Sequence, residues 1–139
     1  MVLTKKTRYT IRALVELAKF RGAGPVKIAA IATAQHIPQR FLEVILNQLK
    51  GSGLVESKRG YYGGYSLVQP PESITIKKVF QFTQKSLDTN LCVGCESQDT
   101  CPFQEECVFF PLLEKIRTSL FDIYEQTTIQ DLILEKFDN

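Results

Sequence analysis

The strongest constraint on this chain's fold is a change of period between residues 37 and 68. Phe41, Leu42, Ile45, Leu46 and Leu49 recur at steps of one, three and four, the spacing of a helix with one inward face. Pro38 stands in the first turn, where proline is tolerated, and Gly51 and Gly53 close the segment. The next fifteen residues, 54–68, carry two short runs of β-type residues around Gly60-Tyr61-Tyr62-Gly63-Gly64. That is the pattern of a hairpin with a glycine-rich tip. A helix that must bury one stripe, followed at once by a hairpin, needs further helices to cover it.

Those helices are legible upstream. Ile11, Leu14, Val15, Leu17 and Ala18 give residues 4–20 one apolar face, ended by Gly22, Gly24 and Pro25. A second short helix fits residues 28–34, and His36 and Ile37 form the turn into the third. Three helices and a basic hairpin are the outline of a winged helix-turn-helix. Downstream, Pro70-Pro71 interrupts the chain, and Ile76, Val79 and Phe80 predict a short helix. Phe109, Leu113, Ile116, Leu120, Ile123 and Thr127 alternate steps of four and three, a coiled-coil-like seam on a long helix with Pro111 near its start. Thr128 followed by Asp131 predicts a capped last helix ending near Phe137. The expected fold class is mainly α with a small β-hairpin wing. The expected boundaries are a winged helix-turn-helix over residues 1–70 and a cysteine loop with the seam-bearing helices over 71–139.

The net charge of +2 conceals an asymmetry. Residues 1–70 hold eleven Lys or Arg against three Asp or Glu, a net +8; residues 71–139 hold six against twelve, a net −6. A basic half joined to an acidic one predicts that the first meets a polyanion. In a helix-turn-helix the start of the third helix faces base edges. Gln39 is suited to adenine, Arg40 to guanine and Glu43 to a cytosine amino group. The plainer reading of Glu43 is a pairing with Arg40 or Asn47 on an exposed face. Lys5, Lys6, Arg8, Lys27 and Lys50 are predicted phosphate contacts, which position without reading sequence. Lys58 and Arg59 lie on the wing, where an arginine can enter the minor groove.

With 139 residues, 44% of them hydrophobic, the chain is one compact unit or a core with an appendage. No apolar run approaches the ~20 residues that span a bilayer, so no membrane association is expected. Lys5, Lys6, Arg8 and Arg12 interrupt the first twenty residues, unlike a secretory signal. The reading is cytoplasmic, with free thiols as the default. A single histidine, His36, and no nucleophilic or paired-carboxylate constellation argue against an enzyme.

The four cysteines, Cys92-x2-Cys95-x5-Cys101-x5-Cys107, fall within sixteen residues. Soft thiolates so close suit an iron–sulfur cluster, and a four-thiolate set equally suits zinc. Buried structural cysteines are the plainer alternative, although free cysteine seldom clusters in a polar loop. Cys92 and Cys95 have the spacing of a redox pair but no surrounding βαβ pattern.

Several motifs together resemble one family: Leu3-Thr4-x3-Arg8-Tyr9; Ile37-Pro38-x2-Phe41-Leu42-Glu43-x-Ile45-Leu46-x2-Leu49; Gly53-Leu54-Val55-x-Ser57-x-Arg59-Gly60-x2-Gly63-Gly64-Tyr65-x-Leu67; and Ile74-Thr75-Ile76. They are similar to the Rrf2 family of bacterial winged helix-turn-helix transcription regulators. The resemblance implies a homodimer built on the long C-terminal helix and bound to a dyad-symmetric DNA operator. It also implies groove contacts from Glu43, Arg40 and Arg59; Lys5 and the motif residue Tyr9 complete the expected DNA-binding set. Cys95, Cys101 and Cys107 match the triad of cluster-binding members, which implies an iron–sulfur cluster, [2Fe-2S] or [4Fe-4S]. The fourth ligand differs from the family's usual ones: some members place a histidine where this chain has Phe110, others an aspartate where it has Arg8. Cys92 is the economical replacement; Glu96, Glu105, Glu106 or a group from a partner subunit are the others.

Overall fold

The first helix, α1 (Lys5–Lys19), begins where Thr4 turns its side chain onto the backbone N–H of Thr7. The structure, a computed structural model, describes residues 3–84, 103, 106–135 and 137. After α1 come α2 (Ile28–Gln35), α3 (Gln39–Gly51), the strands β1 (Val55–Lys58) and β2 (Gly64–Leu67), and a 3-10 turn (Pro71–Ser73). Then follow α4 (Ile76–Thr83), α5 (Phe110–Gln126) and α6 (Ile129–Leu134). The expected class, mainly α with a small β-hairpin wing, is what forms.

Ala13, Leu14 and Leu17 of α1 are buried, and α1 packs against α2, α3, α4, α6 and β2. Leu42, Ile45, Leu46 and Leu49 bring the inward stripe of α3 onto the same core. Phe41, expected inward with them, is instead 40% exposed, its ring edge-on to Tyr9 at 5.4 Å between centroids. Its position precedes Leu42 by only 100° of helix rotation, so it falls on the rim of the stripe rather than within it. Glu16 is a buried carboxylate, and Gln35 Nε2 donates to it at 2.6 Å, tying α1 to the end of α2.

The turn between α2 and α3 is tight because His36 adopts the left-handed conformation (φ 51°) while Ile37 drops into the core. Pro38 caps α3 rather than occupying its first turn. β1 and β2 pair antiparallel with Val55 opposite Leu67 and Lys58 opposite Gly64. Val26 adds a two-bond bridge to Tyr65, each N–H donating to the other's carbonyl at 2.8 Å, which clips the hairpin to the segment before α2. A Cβ on Gly64 would meet the Val26 backbone, so this close approach needs glycine.

Beyond residue 70 the chain returns to the same core through Ile74, Val79, Phe80 and Ile129. The starts of α4 and α6 are pinned together: Ile76 N–H donates to Thr127 and Ile129 N–H to Ile74, both at 2.9 Å. Thr128 and Asp131 form the reciprocal cap expected of them. α6 stops at Leu134, where Glu135 turns left-handed (φ 50°), three residues short of the predicted end.

α5 touches the rest through its second half, where Tyr124 stacks on Phe80 at 4.7 Å and Lys77 bridges Glu125 at 2.9 Å. Burial there pushes the Tyr124 hydroxyl above its ordinary range. No residue of α5 is fully buried; along the predicted seam Phe109, Ile116 and Ile123 are exposed and Leu113, Leu120 and Thr127 half-buried.

Two glycines separate geometry from propensity. Gly64→Ala should destabilise the fold by more than about 1 kcal/mol, because the new methyl meets backbone that cannot yield. Gly51→Ala, in helical backbone with nothing within 4 Å, should stabilise by roughly 0.5–1 kcal/mol. Urea denaturation of both variants measures the two signs.

Candidate nucleic-acid interface

The outward face of α3 is a consequence of its inward one. With Leu42, Ile45, Leu46 and Leu49 buried, the helix leaves Gln39, Arg40, Glu43, Val44 and Asn47 in solvent. Glu43 forms no ion pair with Arg40 and no hydrogen bond with Asn47 among the described residues. All three predicted base readers therefore present free polar groups from the first turns of one helix. Val44 is 55% exposed on the same surface; the sequence reading missed it, because an isolated valine outside the apolar stripe has no periodic signal.

Around this face lie the predicted phosphate contacts. Lys5 is exposed in the first turn of α1, and Tyr9, one turn later on the same side, is the half-buried ring that abuts Phe41. The aromatic contact joins the start of α1 to the start of α3. Arg8 is exposed and Lys6 half-buried. Lys50 is exposed in the last turn of α3, about 16 Å along the axis from Gln39.

Lys58 ends β1 and Arg59 follows it into the hairpin tip, both exposed. Gly63 N–H donates to the Gly60 carbonyl at 3.0 Å, closing a tight turn. A Cβ at Gly63 would collide with the Lys58 carbonyl and the Arg59 backbone, so glycine is what lets the chain fold back under the basic pair. Lys27 caps α2 and holds its ammonium 5.1 Å from the centroid of the Tyr61 ring. The Val26 bridge and the tyrosine pair at the tip were absent from the sequence reading. A lone β-branched residue after Gly24-Pro25 was the available signal for the first.

Of the predicted metal ligands, Cys92, Cys95 and Cys101 lie outside the described residues, as do Glu96 and Glu105. Cys107 is a half-buried free thiol three residues before α5, its carbonyl accepting from Phe110 N–H at 3.1 Å. No group of three metal-ligating side chains occurs among the described residues. No helix among them is long and apolar enough to cross a membrane.

Comparison with known proteins bears on the whole chain. The Rrf2 family model, described as an iron-dependent transcriptional regulator, matches residues 3–135. The HTH-type transcriptional regulator IscR of Pectobacterium atrosepticum is 32% identical over 136 residues, covering 98% of this chain and 81% of that protein. The regulator CymR of Bacillus subtilis is 30% identical over 132 residues, covering 95% and 89%. The solved structure of CymR, the global cysteine regulator of B. subtilis, matches with a TM-score of 0.79 at 28% identity over 99% of both chains. An IscR structure from T. potens shares the fold, with a TM-score of 0.75 at 24% identity, over 100% of this chain and 93% of that one. A helix-turn-helix with an open polar face, a basic hairpin and matches over nearly the whole chain converge: the chain belongs to the Rrf2 family of transcriptional regulators, which bind DNA and are not enzymes.

Proposed function

We propose that the protein is a cytoplasmic homodimer that binds a dyad-symmetric operator, and that an iron–sulfur cluster on the cysteine segment controls this binding. The observation that carries the sequence-specific part is the open face of α3. Arg40 and Glu43 are fixed to a helix whose other side is locked in the core, and neither is spent on an internal partner. In this reading Gln39, Arg40 and Glu43 read bases in the major groove, while Lys5, Tyr9 and Lys50 hold the backbone and Lys58 and Arg59 the wing's groove.

The apolar side of α5 supports the dimer. A seventeen-residue helix with no fully buried side chain, and with Phe110, Leu112, Ile116 and Ile123 exposed, gains burial by pairing with a second copy. Operator half-sites lie about one DNA turn apart, so the pairing of α5 sets the separation of the two α3 helices.

The donor chemistry fits a cluster: four soft thiols within sixteen residues, one of them the half-buried free thiol of Cys107. Cys95, Cys101 and Cys107 with Cys92 would hold it; when bound, it supplies an iron centre sensitive to oxidation and ligand exchange. Cys107 stands just ahead of α5, so the thiol segment and the pairing helix are continuous in the chain. Control of DNA binding then equals the difference in operator affinity between the two forms. Similarity to a protein described as a global cysteine regulator favours a second reading, a metal-free or zinc-stabilised regulator without cluster sensing.

Three outcomes test this. On its preferred duplex Arg40→Ala should lose about 1–3 kcal/mol and relax the choice at one base pair, whereas Lys50→Ala should weaken every sequence alike and lower the salt slope by about one. Fluorescence anisotropy across salt concentrations measures both; a sequence-independent loss in Arg40→Ala contradicts base reading. Ile116→Asp should sediment as a folded monomer, and a persistent dimer would overturn the role of α5. Anaerobically purified protein should contain iron and sulfide with visible absorption, and cluster-loaded and cluster-free forms should differ in duplex affinity. Colourless protein with one zinc per chain, or equal affinities, supports the second reading, and an unchanged cluster in Cys92→Ala removes Cys92 as the fourth ligand.

A further inference from the structure

At the wing tip, residues 60–63 form a tight turn closed by the Gly63 N–H to the Gly60 carbonyl, and its two central positions are Tyr61 and Tyr62. Such positions ordinarily hold proline, glycine or small polar residues, because turn chemistry there rewards a preset φ or a local side-chain hydrogen bond. Tyrosine offers neither. Nor do the rings serve the fold: they are 79% and 82% exposed and lie outside the core cluster. They pack edge-to-face on each other, 4.9 Å between centroids at 85°, so the tip presents one rigid aromatic knob.

Three cations accompany the knob. Lys58 and Arg59 precede it in the chain, and Lys27 reaches it from the start of α2, over the Tyr61 ring at 5.1 Å. The Val26–Tyr65 bridge, one residue away from Lys27, fixes the hairpin against the helix-turn-helix. The tip is thus oriented before anything binds, which lowers the ordering cost of contact. Two exposed rings with Lys27 over one of them, and two further cations just before them in the chain, match a surface that is anionic at its edge and apolar within. The minor groove of DNA has that character, with phosphates along the rim and sugar and base faces as walls.

We infer that Tyr61 and Tyr62 are DNA-contacting residues: their rings pack against the sugar and base walls of the minor groove beside the half-site. Tyr61 also holds the Lys27 ammonium towards the flanking phosphate. This rests on the DNA-binding reading above and extends it to two residues and a non-ionic source of affinity. Ring contacts release few counterions, whereas lysine–phosphate contacts release about one each.

The probe is a duplex that the wild-type chain enriches from a randomised pool. Replacing both rings (Tyr61→Ala with Tyr62→Ala) should weaken binding about fivefold or more while changing the salt slope far less than the affinity. Lys27→Gln should instead lower the slope by about one. In parallel, tetranitromethane should nitrate Tyr61 and Tyr62 in the free protein, and the duplex should protect them. Because both rings are exposed, the variant should keep its wild-type circular dichroism, and the nitration arm needs no variant. Undiminished affinity in the double variant, or equal nitration with and without duplex, overturns the inference. If Arg40→Ala loses affinity in the same assay while the tyrosine variant does not, only the wing-tip inference fails. Failure of the wild-type chain to enrich any duplex sinks both readings.

Discussion

The apolar wall of α1 is the contact on which the rest of the molecule depends. Ala13, Leu14 and Leu17 are buried in the core, and α1 packs against α2, α3, α4, α6 and β2, so one helix sets where most of the other elements sit. Removing side chains of that size from such a position typically costs 2–5 kcal/mol, a large share of the 5–15 kcal/mol that holds an ordinary domain folded. The same helix carries Lys5 and Tyr9 at its opening turns, and Tyr9 meets Phe41 at the start of α3. The core and the polar outer face of α3 are therefore coupled through α1. α3 cannot tilt without disturbing α1.

Glycine and backbone pairing do for the wing what leucine does for α3. The hairpin is only four residues per strand, too short to be stable in isolation. Its attachment comes from the Val26–Tyr65 bridge and from Val55 and Leu67 entering the core. Gly63 and Gly64 permit backbone approaches that any side chain would block. Cationic groups at the tip are consequently held at a defined offset from α3, which is what a two-groove contact requires.

The acidic half has a different division of labour. α4 and α6 complete the core through Phe80 and Ile129, while α5 packs on α4 through Tyr124 and Glu125 and has no fully buried residue. Cys107 lies three residues before that helix, on the negatively charged part of the chain. The basic half and the open apolar helix are thus kept on different parts of the chain, and the negative charge of the acidic half disfavours a polyanion there.

Much of this was legible in residue order, because period and breakers are local properties. The stripes of α1 and α3, the glycine-rich hairpin, the Thr128–Asp131 cap and the charge split all follow from neighbours within a few positions. Gln39, Arg40 and Glu43 could be placed on the outward face for the same reason. What the sequence could not decide were contacts between residues far apart: the Val26 strand pairing, the packing of Phe41 on Tyr9, the cradle of Lys27 over Tyr61, and the return of Phe80 and Ile129 to the α1 core. The sequence by itself determined which elements form and which faces are apolar, since those depend on the chain's own periodicity. Only the tertiary structure decided which exposed groups stand together, because that depends on how distant segments close-pack around α1.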